Sequence, residues 1–248
     1  MEVLPRFRLI IFDVYGTLLD VRTCEDAYRV WKTMKAVILT KTGVVCHMSS
    51  GDLKNLYYHI RNEEQRAQEQ IYGTWAEIDE VKVFRKLLEA VGAEADVAVH
   101  CASDVAIIFR VISRERLNVY AGVEDTLRQL NEAGYRLGIL SNAQTAFVEM
   151  EAGHLFKYFE DGLIFISSEH NLKKPSEQFY EILLRTAGVS AEEAVMIGNS
   201  FEDDIRPAQA LGLHTVYVNS DLIDESIPEA VDGVIHPDDF SALTKLLL

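Results

Sequence analysis

The segment FDVYGTLLD, residues 12–20, places Asp13 at the end of an apolar run, with Tyr15 two residues on and Thr17 in the turn beyond Gly16. A single carboxylate in such a place is usually a turn former. Further polar groups recur at the same kind of position along the chain. Ser141 and Asn142 follow LGIL, Lys174 comes shortly after LIFISSE, and Asn199 with Asp203 and Asp204 follows AVMIG. Together they offer a candidate nucleophile, a hydroxyl and amide pair, one ammonium and an acidic pair, which is equipment for a nucleophilic displacement.

Those side chains need a scaffold that brings them together. The runs LIIFDV, RLGILSN, GLIFISS, AVMIGN, HTVYVN and GVIHP are almost continuously apolar, as strands covered on both faces are. Between them, GVEDTLRQLNEAGY puts Val123, Leu127, Leu130 and Ala133 on one helical face, with Gly134 placed to stop it. FYEILLRTAG repeats the pattern with Phe179, Ile182 and Leu183 inward and Gly188 at its end, and Ser190 and Glu193 have the spacing of a capping box. Alternating strands and helices predict an α/β fold with a doubly wound parallel sheet, which binds ligands beyond the carboxyl ends of its strands. Residues from about 22 to 115 break the rhythm with helix-like stretches around Tyr28, Trp31 and Met34, around Leu53, Leu56, Tyr57 and Ile60, from Val81 to Leu88 and from Val97 to Ile112. The expected organisation is a core of residues 1–20 and 116–248 with a mostly helical insertion at 21–115.

Composition narrows the function classes. The 248 residues are enough for one large core with an insertion, and 48% apolar with 25% charged residues is ordinary for a soluble folded chain. A formal net charge of -15 repels phosphate backbones and anionic headgroups, so neither nucleic acid nor a membrane is the expected partner. Cys24, Cys46 and Cys101 are odd in number and far apart, which suits reduced thiols rather than a disulfide framework or a zinc cluster. No signal sequence or spanning run is recognised, and the expected setting is the cytoplasm. The histidines are scattered, without the spacing of a metal-binding helix.

In four ordered pieces the chain resembles the haloacid dehalogenase-like (HAD) superfamily: FDVYGTLLD, LSN, KKP and IGNSFEDDIRPAQALGL. The resemblance implies a Rossmann-like core with residues 21–115 as a cap over the site, and an Asp13 nucleophile that forms an aspartyl intermediate later hydrolysed by water. It implies that Thr17 and Ser141 bond the transferring group or the spare oxygen of Asp13, that Asn142 orients substrate, and that Lys174 offsets the gathered negative charge. It also implies a Mg²⁺ site from Asp13, the backbone carbonyl of Tyr15, and Asn199 with Asp203 or Asp204.

Two departures pull in different directions. Phosphatases of the superfamily usually carry a second aspartate where this chain has Tyr15, and a phenol is a poor general base near neutrality. A halide leaving group needs no proton, and FDVYGTLLD looks most like the first motif of 2-haloacid dehalogenases. Asn199 replaces a common aspartate and should weaken metal affinity, yet the acidic loop as a whole looks like that of a phosphatase. The expected substrate is a small anion. Three functions fit: a Mg²⁺-dependent phosphatase of a small phosphorylated metabolite, a metal-independent 2-haloacid dehalogenase, and a catalytically weak binding protein on the same fold.

Overall fold

The structure, a computed structural model, describes residues 7–220 and 230–248, so positions 1–6 and 221–229 of the expected core lie outside the described residues. The six apolar runs are the strands β1 (Leu9–Phe12), β4 (Arg136–Ser141), β5 (Ile164–Ile166), β6 (Ala194–Gly198), β7 (His214–Val218) and β8 (Gly233–Ile235). They form one sheet in the order β5-β4-β1-β6-β7-β8, and every pairing is parallel. The pleat explains the continuous hydrophobicity. Ile10 and Phe12 of β1 face one apolar layer with Ile139, Ile197 and Val216, while Leu9 and Ile11 face the opposite layer with Leu140 and Met196.

Helices cover both layers. On the first, α5 (Val123–Glu132) buries Val123, Leu127 and Leu130, and α10 (Ala242–Leu247) buries Leu243, Leu246 and Leu247. On the second, α8 (Glu177–Ala187) buries Phe179, Tyr180 and Leu183 beside Ala208 of α9 (Arg206–Leu211). Ile182 is only partly buried there. Two short helices, α6 (Thr145–Ala152) and α7 (Ser167–His170), follow β4 and β5. The Ser190 and Glu193 capping box is present at the turn before β6.

The inserted segment folds as α1 (Tyr28–Thr42), α2 (Ser50–Tyr72), α3 (Glu80–Ala90) and α4 (Ala95–Ser113). These helices share a separate apolar cluster in which the rings of Trp31, Tyr57, Phe84 and Phe109 pack with centroids 5.1–5.4 Å apart. Aromatic pairs at such distances each add about 0.5–1.5 kcal/mol beyond the area they bury. Tyr28, by contrast, is 70% exposed, and Val30 takes the inward position on α1. The chain enters and leaves the insertion through an antiparallel ribbon that the apolar pattern did not announce, β2 (Leu19–Thr23) with β3 (Arg114–Val119). This ribbon runs across both expected borders, at 20/21 and 115/116.

A second connection holds the helices over the sheet. Gln144, just before α6, accepts a hydrogen bond from the Glu80 amide at 2.8 Å and donates to the Ile78 carbonyl at 2.9 Å. Ser167 donates to Glu77 Oε2 at 2.8 Å, and the Lys173 amide donates to the Trp75 carbonyl at 2.9 Å. Among the described residues no helix is long and apolar enough to cross a membrane, and all three cysteines are unpaired thiols.

Candidate active site

Asp13 continues β1 by one residue, its amide donating to the Ile197 carbonyl at 2.9 Å, so its carboxylate emerges between the ends of β4 and β6. The residue is 7% exposed. Its Oδ1 accepts from Ser141 Oγ at 2.8 Å and from Lys174 Nζ at 2.7 Å. Both partners engage the same oxygen, and Oδ2 accepts no hydrogen bond among the described residues. That leaves one carboxylate oxygen free to attack.

Lys174 reaches the site from the loop after α7, with its ammonium fully enclosed between two acids. Besides Asp13 it donates to Asp204 Oδ1 at 2.6 Å. Burial pulls the ammonium down, but Asp13 and Asp204 outweigh it and hold the group above the ordinary lysine value. The neighbouring Lys173 is partly exposed and takes no part. Burial pushes Asp204 up to about 6, with Lys174 opposing. The Asp204 carboxylate also accepts from the Ser200 amide at 3.0 Å.

Small residues allow the acidic loop to close on the first motif. A methyl group at Gly16, where φ is +84°, would lie 2.3 Å from Asn199 Nδ2, and one at Gly198 would lie 2.4 Å from the Asp204 carboxylate. The loop itself is a π-helical turn, Phe201–Ile205, begun by Ser200, whose side chain accepts from the Asp203 amide. From α8 the Tyr180 hydroxyl donates to the Asp203 carbonyl at 2.6 Å and fixes the turn from below.

Asp13, Tyr15, Asn142, Lys174, Asn199, Asp203 and Asp204 line a single cavity of about 280 Å³. Three of the expected residues use their polar atoms differently from expectation. Thr17 donates to Asn199 Oδ1 at 3.3 Å rather than to Asp13. The Asn142 amide is engaged at both ends by the main chain of Lys174, accepting from its N–H at 2.8 Å and donating to its carbonyl at 3.0 Å. These two bonds fix the lysine loop. Tyr15 turns its hydroxyl to Glu151 of α6, donating to Oε2 at 2.6 Å. Burial raises the phenol well above its ordinary value, and the Glu151 charge adds to the effect.

Glu151, which the sequence reading missed, is almost fully buried and bound by two arginines of the insertion. Arg110 donates from Nε and Nη2 at 2.9 and 3.0 Å, and Arg114 donates at 3.1 Å. Burial pushes its carboxyl up, but Arg110 outweighs that and holds it below the ordinary value. The Arg110 guanidinium lies 5.3 Å from the Tyr15 ring centroid and 5.5 Å from that of Phe147. One signal was present in the sequence: Phe147, Val148, Glu151 and Ala152 share a helical face, and an acid on an otherwise apolar face needs a partner.

The donors around Asp13 and Asp204 are all hard oxygens, namely two buried carboxylates, the Asn199 amide and the main chain at Tyr15, with Asp203 beside them. Three carboxylates line the cavity against the one ammonium of Lys174. Such a set suits Mg²⁺, which takes few protein ligands and keeps several waters. No group of three or more His, Cys, Asp or Glu side chains arranged to hold a metal occurs among the described residues, so the amide and main-chain oxygens would have to complete the set.

Comparisons with known proteins give the family. YfnB of Bacillus subtilis (strain 168), a protein named for the HAD hydrolases, is 28% identical over 232 residues, covering 92% of this chain and 90% of its own length. Its solved structure, described as magnesium-bound and as revealing interdomain movement, aligns over 98% of this chain and 99% of its own at a TM-score of 0.54 and 23% identity. A glyceraldehyde 3-phosphate phosphatase of Methanopyrus kandleri is 27% identical over 230 residues, covering 92% of this chain and 90% of its own length. The fold of a 2-haloacid dehalogenase from Pseudomonas syringae pv. Tomato DC3000 superimposes at a TM-score of 0.69, with 24% identity and 97% and 98% coverage of the two chains. The sequence profile of the haloacid dehalogenase-like hydrolases matches residues 7–212, and the chain belongs to that family.

Proposed function

We propose that this protein is a Mg²⁺-dependent phosphomonoester hydrolase of a small phosphorylated molecule, with Asp13 as nucleophile and the helices α1 to α4 as a cap over the site. The charge count of the cavity carries this reading. Asp13 and Asp204 share the single ammonium of Lys174, and the resulting surplus of negative charge repels an anionic substrate until a divalent cation balances it. The phosphatase relative from Methanopyrus and the magnesium described for YfnB support the same assignment.

In this mechanism Asp13 Oδ2 attacks phosphorus while Ser141 and Lys174 hold Oδ1, and the bond from phosphorus to the ester oxygen breaks. Asp13, Asn199, Asp204 and the Tyr15 carbonyl would hold Mg²⁺, which supplies charge neutralisation at the phosphoryl oxygens. Lys174 shares that task through its ammonium. The leaving oxygen takes its proton from solvent, because the Tyr15 proton is committed to Glu151. Water then attacks the aspartyl phosphate and releases inorganic phosphate with Asp13 restored.

The same commitment of Tyr15 favours one second reading, 2-haloacid dehalogenation, in which Asp13 displaces a halide that needs no proton. A paired assay separates the two. Phosphate release from an activated aryl phosphate that stops with chelator and returns with Mg²⁺ is the expected result. Chelator-resistant halide release from a short 2-haloacid, without phosphate release, overturns it in favour of the second reading.

A further inference from the structure

A second cavity of about 310 Å³ adjoins the first and shares Tyr15, Val21 and Asn142 with it. Its remaining walls come from the inserted helices and the loops beneath them: Glu25, Arg61, Glu77, Glu80 and Arg110, closed by Gln144 and Phe147. A substrate whose phosphate lies against Asp13 has this space for the rest of its body.

The carboxylates here accept hydrogen bonds with one exception. Glu80 accepts from Arg61 Nε at 2.7 Å and from the Tyr57 hydroxyl at 3.0 Å. Arg110 is held by Glu151, and Glu77 accepts from the Ile78 amide and from Ser167. Glu25 lies within electrostatic reach of both Arg110 and Arg61. Its carboxylate nevertheless makes no hydrogen bond and no ion pair among the described residues. Burial raises its carboxyl above the ordinary value, as expected of an acid that is desolvated without a contact partner. Three carboxylates face two guanidiniums in the cavity, and behind it Glu151 is shared by Arg110 and Arg114. The balance is negative and the unsatisfied acceptor is Glu25. Both terminal nitrogens of Arg61 also lack partners among the described residues, so hydrogen-bond donors stand beside that acceptor.

From this juxtaposition we infer that the alcohol portion of the substrate carries a protonated amine, bound by Glu25, so that the natural substrates are phosphate monoesters of amino alcohols. The inference rests on the phosphomonoesterase reading for the position of the phosphate. Purely anionic leaving groups, such as those with a second phosphate, meet repulsion in this cavity, whereas an ammonium replaces the missing partner of Glu25.

Calorimetry with non-hydrolysable ligands tests the inference apart from catalysis. A series of ω-aminoalkylphosphonates is titrated, in the presence of Mg²⁺, into the wild-type protein and into Glu25→Gln, alongside n-alkylphosphonates in which a methyl group replaces the ammonium. At the chain length that spans the two cavities, the amine is expected to bind about tenfold more tightly than its methyl isostere. That preference should collapse toward unity in Glu25→Gln, whose folding is checked by its unfolding temperature. Equal binding of the two series in the wild type, a preference that survives the substitution, or no binding by either series overturns the inference. Failure of the hydrolase reading would show separately, as absent phosphate release from aryl phosphates.

Discussion

The Tyr15 hydroxyl donates to Glu151 Oε2 at 2.6 Å, which turns the phenolic proton away from Asp13 and toward a carboxylate pinned by Arg110 and Arg114. The side chain standing where phosphatases of the superfamily usually carry an acid is therefore a strut between the loop after β1 and the inserted helices.

If the phenol is a strut, Tyr15→Phe should keep kcat within about threefold of wild type and lower stability by about 1 kcal/mol. Tyr15→Asp should instead supply a proton donor and raise turnover selectively for esters with poor leaving groups. The check is the slope of log kcat against leaving-group pKa, steep for the wild type and shallower for Tyr15→Asp. An unchanged slope would remove the link between this position and protonation.

Asp13→Asn keeps the shape of the side chain and removes the attacking oxygen. Hydrolysis should fall by at least about 10³-fold while the circular dichroism spectrum stays native. Mass spectrometry of acid-quenched wild-type protein should show a phosphorylated species that the variant lacks. A variant that still turns over would end the covalent mechanism.

Asn199→Asp adds a fourth carboxylate to a cavity with one ammonium. Metal-free protein should then melt at a lower temperature than wild type, and Mg²⁺ should raise the melting temperature by more than it does in the wild type. A tightening of the Mg²⁺ dissociation constant by about tenfold corresponds to about 1.4 kcal/mol of added stabilisation. Thermal scans across a Mg²⁺ series measure both quantities, and equal responses in the two proteins would place the metal elsewhere.

Glu151 gives a pH signature. Its folded value is held below the unfolded one, so its stabilisation is fully present above the unfolded value, about 4.3, and is lost as pH falls through the folded value. Glu151→Gln should cost about 3 kcal/mol at pH 7, because Arg110 and Arg114 lose their counter-charge, and the melting temperature should drop by about 6–12 °C. The gap between variant and wild type should narrow in acid. A gap independent of pH would mean that packing, not charge, holds this strut.

The sheet was legible in the sequence because a parallel strand buried on both faces must be apolar at every position, and LIIF and AVMIG are. The ribbon was not, because RERLNV exposes Glu115, Arg116 and Asn118 and has neither an apolar run nor a turn to mark it. Asp13, Ser141, Lys174 and Asp204 could be expected in one place, since each ends or follows a strand of one sheet and all its strands point the same way. Glu151, Arg110 and Glu25 were out of reach for a physical reason. Their positions depend on how the inserted helices lie over the sheet, and that is fixed by long-range contacts such as Gln144 with Glu80, which leave no local pattern in the chain.

Leu19 and Val119 are paired in register across the β2 and β3 ribbon, so the chain returns from the helices to within one strand spacing of where it left. A loop closed at its own base can be lengthened, shortened or exchanged for a different fold without moving Asp13 or its neighbours. The strand ends that carry Asp13 and the helices inserted between them are thus free to diverge at different rates, as a tool holder outlasts its bits.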